Sequence, residues 1–126
     1  MAIYGVGAYY GYDVSPDFIN NRIVGVGWSE QDAPELQEYF RTLKVGDIVY
    51  IKAAFGGGDI TVKAIGLIED SNIISNSLVT TGRNVKWINT EKFIIKRPQE
   101  KNNVRSNTVY EEFHPDILRE IILRIN

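Results

Sequence analysis

Lys44-Val45-Gly46-Asp47-Ile48-Val49-Tyr50-Ile51-Lys52-Ala53-Ala54 leads through Phe55-Gly56-Gly57-Gly58-Asp59 to Ile60-Thr61-Val62-Lys63-Ala64-Ile65-Gly66-Leu67-Ile68, and the fold turns on this stretch. Lys44 to Asp47 reads as a turn, and the β-branched, alternating residues on either side of the glycine cluster read as two strands, Ile48 to Ala54 and Ile60 to Ile68. The glycines between them form the wide tip of a hairpin. Strands therefore dominate, and helices are the exceptions that cover them.

Upstream, apolar alternation predicts strands from Ile3 to Tyr10 and from Arg22 to Trp28, with a Pro16-containing loop, Gly11 to Asp17, between them. A helix is expected from Ala33 to Leu43. Asp32 and Glu35 have capping-box spacing, Pro34 suits a first turn, and Leu36, Tyr39, Phe40 and Leu43 make one apolar stripe. Downstream, Glu69 to Thr81 reads as a polar surface loop, followed by strands at Asn84 to Ile88 and Glu91 to Ile95 and an exposed connection over Arg97 to Asn103. A last helix runs from Pro115 to Ile125, with Ile117, Leu118, Ile121, Ile122 and Ile125 on the face that seals the sheet. The order implies an α+β class, a small strongly curved mixed β-sheet or pseudo-barrel with one early helix and a C-terminal helix.

The 126 residues suit one domain, 1–126, with enough chain for a real core. With no cysteine and a single histidine, His114, the chain lacks disulfides, thiolate-bound zinc and histidine clusters, so no metal and no cofactor is expected. A net charge of −2 argues against binding driven by bulk phosphate attraction. No apolar run nears the roughly 20 residues that span a bilayer, and Met1-Ala2-Ile3-Tyr4 lacks a leader's basic and apolar regions, so a cytoplasmic protein without a membrane partner is the expectation.

Catalytic motifs are missing. Gly5-Val6-Gly7-Ala8-Tyr9-Tyr10 and Gly25-Val26-Gly27-Trp28-Ser29-Glu30 break the dinucleotide fingerprint at Tyr10 and Glu30, and Phe55-Gly56-Gly57-Gly58 lacks the Lys-Ser/Thr of a phosphate loop. These glycines read as aids to turns, bulges and curvature. His114 precedes Pro115 at a helix start and reads as a cap-side residue. The pairs Glu69-Asp70 and Glu111-Glu112 read as solvated.

The aromatic residues carry more. Tyr9, Tyr10, Tyr12, Trp28, Phe55 and Trp87 fall at strand ends or beside loops, where a ring can line the mouth of a small barrel and stack on a base, or simply fill core. Trp28 and Ser29 set an indole N–H and a hydroxyl where a strand gives way to a helix. Arg83 and Asn84 bring a cation and an amide near Trp87, and Lys52 and Lys63 add charge on the hairpin strands. The candidate ligand-binding set is therefore Tyr10, Trp28, Ser29, Lys52, Arg83, Asn84 and Trp87, with no catalytic residue.

The ordered series Gly25-Val26-Gly27-Trp28-Ser29, an amphipathic helix, Leu43-Lys44-Val45-Gly46-Asp47-Ile48-Val49-Tyr50, Ala64-Ile65-Gly66-Leu67-Ile68 and Arg83-Asn84-Val85-Lys86-Trp87-Ile88 resembles the PUA-like superfamily, particularly its EVE-like branch. The resemblance spans Ile23 to Ile88. A strand at Thr108-Val109-Tyr110-Glu111 before the last helix looks like the tail of such domains in bacterial and phage defence systems. It implies a pseudo-barrel with a pocket for a nucleobase, often a modified one in DNA or RNA, with Trp28 and Ser29 beside the first helix and Arg83, Asn84 and Trp87 near the closing strand. It also implies a non-catalytic reader whose chemistry comes from a fused or partner protein. A small-nucleotide-binding or sequestering protein, and a protein-interaction or inhibitor module, are the competing readings.

Overall fold

The computed structural model describes residues 2–54, 58–99, 105 and 107–125. Phe55, Gly56 and Gly57 of the expected hairpin tip, and Glu100 to Asn103 of the expected exposed connection, lie outside the described residues. In chain order the elements are β1 (Ile3–Gly7), α1 (Ser15–Asn21), β2 (Ile23–Val26), α2 (Pro34–Thr42), β3 (Ile48–Ala53), β4 (Ile60–Ile68), β5 (Thr81–Asn89), β6 (Phe93–Ile95), β7 (Val109–Glu111) and α3 (Pro115–Leu123). No helix among the described residues is long and apolar enough to cross a membrane.

The strands form one strongly curled, mixed half-barrel sheet in the order β2-β5-β4-β3-β1-β7. The expected hairpin is its centre: β3 and β4 pair antiparallel from Ile48↔Leu67 to Ala53↔Thr61. β1 lies parallel to β3 on the far side, Ile3 opposite Ile48. The nine residues of β4 give one edge to two partners, β6 along Ile60 to Val62 and β5 along Ile65 to Ile68. Irregularities between Ile51 and Lys52 and between Ile65 and Gly66 interrupt the ladder at that point. Extra residues of this kind bend a strand and increase its twist, which curls the sheet.

Period-two alternation splits β3 between two cores. Val49 and Ile51 face Val6, Val24, Val26, Phe18 and Phe40 on the side covered by α1 and α2. Ile48 and Tyr50 face Ile60, Val62, Ile65, Ile117 and Ile121 on the side covered by α3. A strand buried on both faces reads as the near-continuous apolar run Ile48 to Ile51. The α3 face is sealed by Ile117 and Ile121, whereas Ile122, read on the same stripe, is exposed.

The α3 side also holds a buried carboxylate. Glu112 accepts from the Tyr50 hydroxyl at 2.6 Å, from Arg105 Nε at 3.1 Å, and from the peptide N–H groups of Phe113 and His114 at 3.1 and 3.0 Å. Arg105 also forms an ion pair with it. These bonds satisfy a charge that would otherwise be costly to bury. They also fix the turn from β7 into α3, where His114 caps the helix by accepting from the Asp116 N–H at 3.2 Å.

Two helix starts differ from expectation. The stretch read as loop and strand entry holds α1, because Pro16 sits in the first turn, where its missing N–H costs nothing, and Phe18 anchors the helix in the core. Asp13 opens it by accepting from the Ser15 N–H and hydroxyl at 2.9 and 2.6 Å. The Asp32/Glu35 capping box does not form: the N-cap is Ala33, and Asp32 instead accepts a 2.7 Å hydrogen bond from Ser29 Oγ.

Gly25 shows why strand glycines curl this sheet. It stands opposite Gly82, and a Cβ there would come within 2.6 Å of the Thr81 carbonyl oxygen and 2.8 Å of Gly82 Cα. Backbone atoms cannot yield as a flexible side chain can. Gly25→Ala should therefore destabilise the fold by about 2 kcal/mol, the scale of overpacking a filled site, measured as a lower urea midpoint at unchanged slope.

Candidate functional site

Two loops meet at the β2–α2 junction. The segment after β1, 8–14, is drawn together by the Tyr9↔Asp13 bridge and by the Tyr10 N–H donating to the Tyr12 carbonyl at 2.9 Å. The segment after β2 carries Gly27, Trp28 and Ser29. They touch where the Tyr10 ring lies over Gly27, at which any Cβ would stand 2.8 Å from Tyr10 Cζ. Phe18 meets the other side of Tyr10 edge-on, ring centroids 6.3 Å apart.

Trp28 stands on this rim with 56% of its surface exposed, and Tyr9 and Tyr12 are exposed beside Tyr10. Gln37 of α2 holds the Trp28 backbone through an Nε2 bond of 2.6 Å to its carbonyl oxygen. The Gln37 side chain is fully buried, yet among the described residues its Oε1 has no hydrogen-bond partner, and neither does the buried Tyr10 hydroxyl. Burial, and after it the nearby Tyr12, push the Tyr10 hydroxyl up to about 12, so it stays protonated and able to donate. One unmet acceptor and one unmet donor thus lie against the consecutive residues Trp28 and Gly27. Buried polar groups without partners are uncommon and costly.

The structure divides the rest of the expected set. Ser29 belongs to the rim, but its hydroxyl is engaged with Asp32, accepting from the Asp32 N–H at 3.2 Å as well as donating to the carboxylate. Arg83 is 1% exposed and its guanidinium is spent on backbone. It donates to the carbonyls of Phe40, Leu43, Asp70 and Asn72, so it closes the end of α2. Asn84 donates to Asp70 Oδ2 at 3.0 Å. Trp87 is half-buried, and its indole N–H donates to the Phe18 carbonyl at 3.2 Å, which makes it a buttress for α1.

Lys52 lies across the sheet. It shares the side of Tyr50 and Tyr110, where its ammonium donates to the Arg105 carbonyl and sits 5.6 Å above the Tyr110 ring. Lys63, the other hairpin cation, does reach the aromatic loop, pairing with Asp13 at 2.9 Å. The rim is therefore Tyr10, Trp28 and Ser29 together with Gln37, and the remaining four candidates are elsewhere. Two hollows of about 530 Å³, one bounded by Tyr4, Glu35, Glu38, Tyr39 and Thr42 and one between β6 and α3, are lined by none of the candidate residues.

Gln37 escapes a reading by hydropathy because glutamine mid-helix suggests solvent. Its spacing is the available signal: Ala33, Gln37 and Phe40 are four and three residues apart, hence on one face, and all three are buried.

Asp13 supplies a test of the loop. Burial pushes its carboxyl up, but the Ser15 hydroxyl and N–H and the Lys63 ammonium outweigh this and hold it down at about 2, against an ordinary value of 3.8. Stabilisation by these bonds is complete above the ordinary value and is lost as pH falls through about 2. In Asp13→Asn this part of the acid-induced loss should disappear from a pH series of denaturation midpoints. Arg83→Leu, which strands four carbonyls, should cost about 3 kcal/mol or more in a urea melt. No family model matches the chain, and no curated protein matches it.

Proposed function

We propose that the chain is a non-catalytic nucleobase-binding module, of the PUA-like, EVE-like kind its sequence resembles, whose ligand stacks on Trp28. The observation that carries this reading is a half-exposed indole on a backbone segment, Gly27–Trp28, that lies against a buried donor and a buried acceptor without hydrogen-bond partners among the described residues. A flat ring can stack on any base, contributing about 1–3 kcal/mol. A base edge that shifts the Gly27–Trp28 segment would meet the Tyr10 hydroxyl as donor and Gln37 Oε1 as acceptor, a pairing suited to a ring nitrogen beside an exocyclic amine. A base flipped from DNA or RNA, including a modified one, would be read this way, with any chemistry left to a partner protein.

The charge of the rim favours a second version. Glu30 and Asp32 follow Trp28 within four residues; Arg41 pairs with Glu30 and with Glu38, and no ion pair reaches Asp32 among the described residues. Such surroundings repel a phosphate-rich strand and suit a free base or nucleoside, as in a small-ligand sequestering or sensing protein.

Thermal shift with free nucleosides and with short single-stranded oligonucleotides separates the two versions, because a ligand stabilises the fold it binds. Trp28→Ala should weaken binding of the stabilising class by about tenfold or more, the scale of one lost stack, while leaving the melting temperature of the unliganded chain nearly unchanged. If neither class stabilises the chain, or if the variant binds as well as the wild type, the proposal fails.

A further inference from the structure

The hollow between β6 and α3 has an imbalance of charge. Its volume is about 530 Å³ and its lining includes Lys96, Arg97, Asp116, Arg119 and Glu120. The two acids are already engaged: Asp116 accepts from Arg119 at 3.1 Å and Glu120 from Arg124 at 2.7 Å. Arg97 differs from its neighbours. Its backbone N–H donates to Asp59 Oδ1 at 3.1 Å, but its guanidinium has no ion pair or hydrogen bond among the described residues, and its Nε is buried with no partner. A guanidinium carries five donors in a rigid fork and stays charged, so one without an ion pair on the lining of a hollow is suited to an anionic acceptor.

A second cation lies on the same side of the sheet: Lys52 is partly buried over Tyr110, and burial first, then the charge of Arg97, hold its ammonium down at about 8. The buried carboxylate on this side, Glu112, is committed to Arg105 and Tyr50 and does not offset them. Positive charge in excess of its partners, an open hollow and an unmet fork donor coincide here.

We propose that this hollow is a binding site for a phosphate group, received by the Arg97 guanidinium, with Lys96 beside it on the lining. A tetrahedral oxyanion fits because it can accept two parallel N–H bonds from one guanidinium. The phosphate can be free or the terminal group of a nucleotide. The site lies on the side of the sheet that α3 covers, away from Trp28, and stands independently of the base-binding proposal.

The test uses the full chain and two probes at constant ionic strength, inorganic phosphate and adenosine 5′-monophosphate, followed by NMR of the arginine Nε–H signals and by thermal shift. Binding should be saturable, should move the Arg97 Nε–H signal, and should weaken by about tenfold or more in Arg97→Gln, as expected for loss of a charge-assisted fork. Arg97→Lys, which keeps the charge and loses the fork, should recover only part of it. Saturation by phosphate identifies a free-anion site, and saturation by the nucleotide alone, with movement of the Arg97 Nε–H signal, identifies a nucleotide-borne one. The absence of a saturable shift with either probe in the wild type would overturn the proposal, as would undiminished affinity in Arg97→Gln.

Discussion

Arg83 holds the two halves of the α2 side together. Its guanidinium, on β5 and out of contact with water, reaches the carbonyls that end α2, Phe40 and Leu43, and those of Asp70 and Asn72 in the loop after β4. The last carbonyls of a helix have no partners within it and carry the negative end of its dipole, so a buried cation there meets both needs at once. Three segments distant in sequence are thereby set in one geometry. The orientation of α2 follows from it, and so does the position of Gln37, which holds the backbone of Trp28. The rim is exposed, but its placement is decided in the core.

The sheet separates two chemistries. On the α2 side, aromatic rings and carboxylates surround the β2–α2 junction. On the α3 side, tyrosine hydroxyls, a buried glutamate and several cations cluster about Tyr110. β3 feeds both: Val49 and Ile51 pack toward the first, Ile48, Tyr50 and Lys52 toward the second. A one-residue slip in the pairing of β3 with β4 would exchange these sets, burying Lys52 against Phe18 and Phe40, which is why the two-faced apolar pattern specifies its register so strongly.

What the sequence discloses follows the range of the interactions involved. The β3–β4 hairpin, α2 and α3 are legible because alternation and the i, i+3, i+4 stripe are local patterns. The curl is legible through glycines such as Gly25, whose place opposite Gly82 is nevertheless a fact of pairing. Helix α1 is obscured because seven residues with one large buried apolar anchor carry little periodicity, and Pro16 reads equally well as a turn or as a helix start. The site is legible only in part. Trp28 and Tyr10 come together through a contact between loops that local patterns do not encode. Arg83 and Lys52 have the residue types of ligand-binding cations, but their partners are carbonyls and rings up to 58 residues away, Tyr110 from Lys52.

Those misplaced cations clarify what the rim can bind. With Arg83 consumed by backbone and Lys52 across the sheet, the cations near the Tyr10–Trp28 rim are Lys63, paired with Asp13, and Arg41, paired with Glu30 and Glu38. Coulombic capture of phosphate is therefore not what this surface offers. It offers a flat, solvent-facing ring and two directional hydrogen-bonding groups that the protein leaves unmet, which favour shape and edge pattern over charge. Binding there should depend weakly on salt, because few counterions would be released, whereas a phosphate held at Arg97 should respond strongly to added salt. On the two proposals, the same sheet would keep recognition of a neutral ring and recognition of an anion on opposite faces, each in the electrostatic surroundings that suit it.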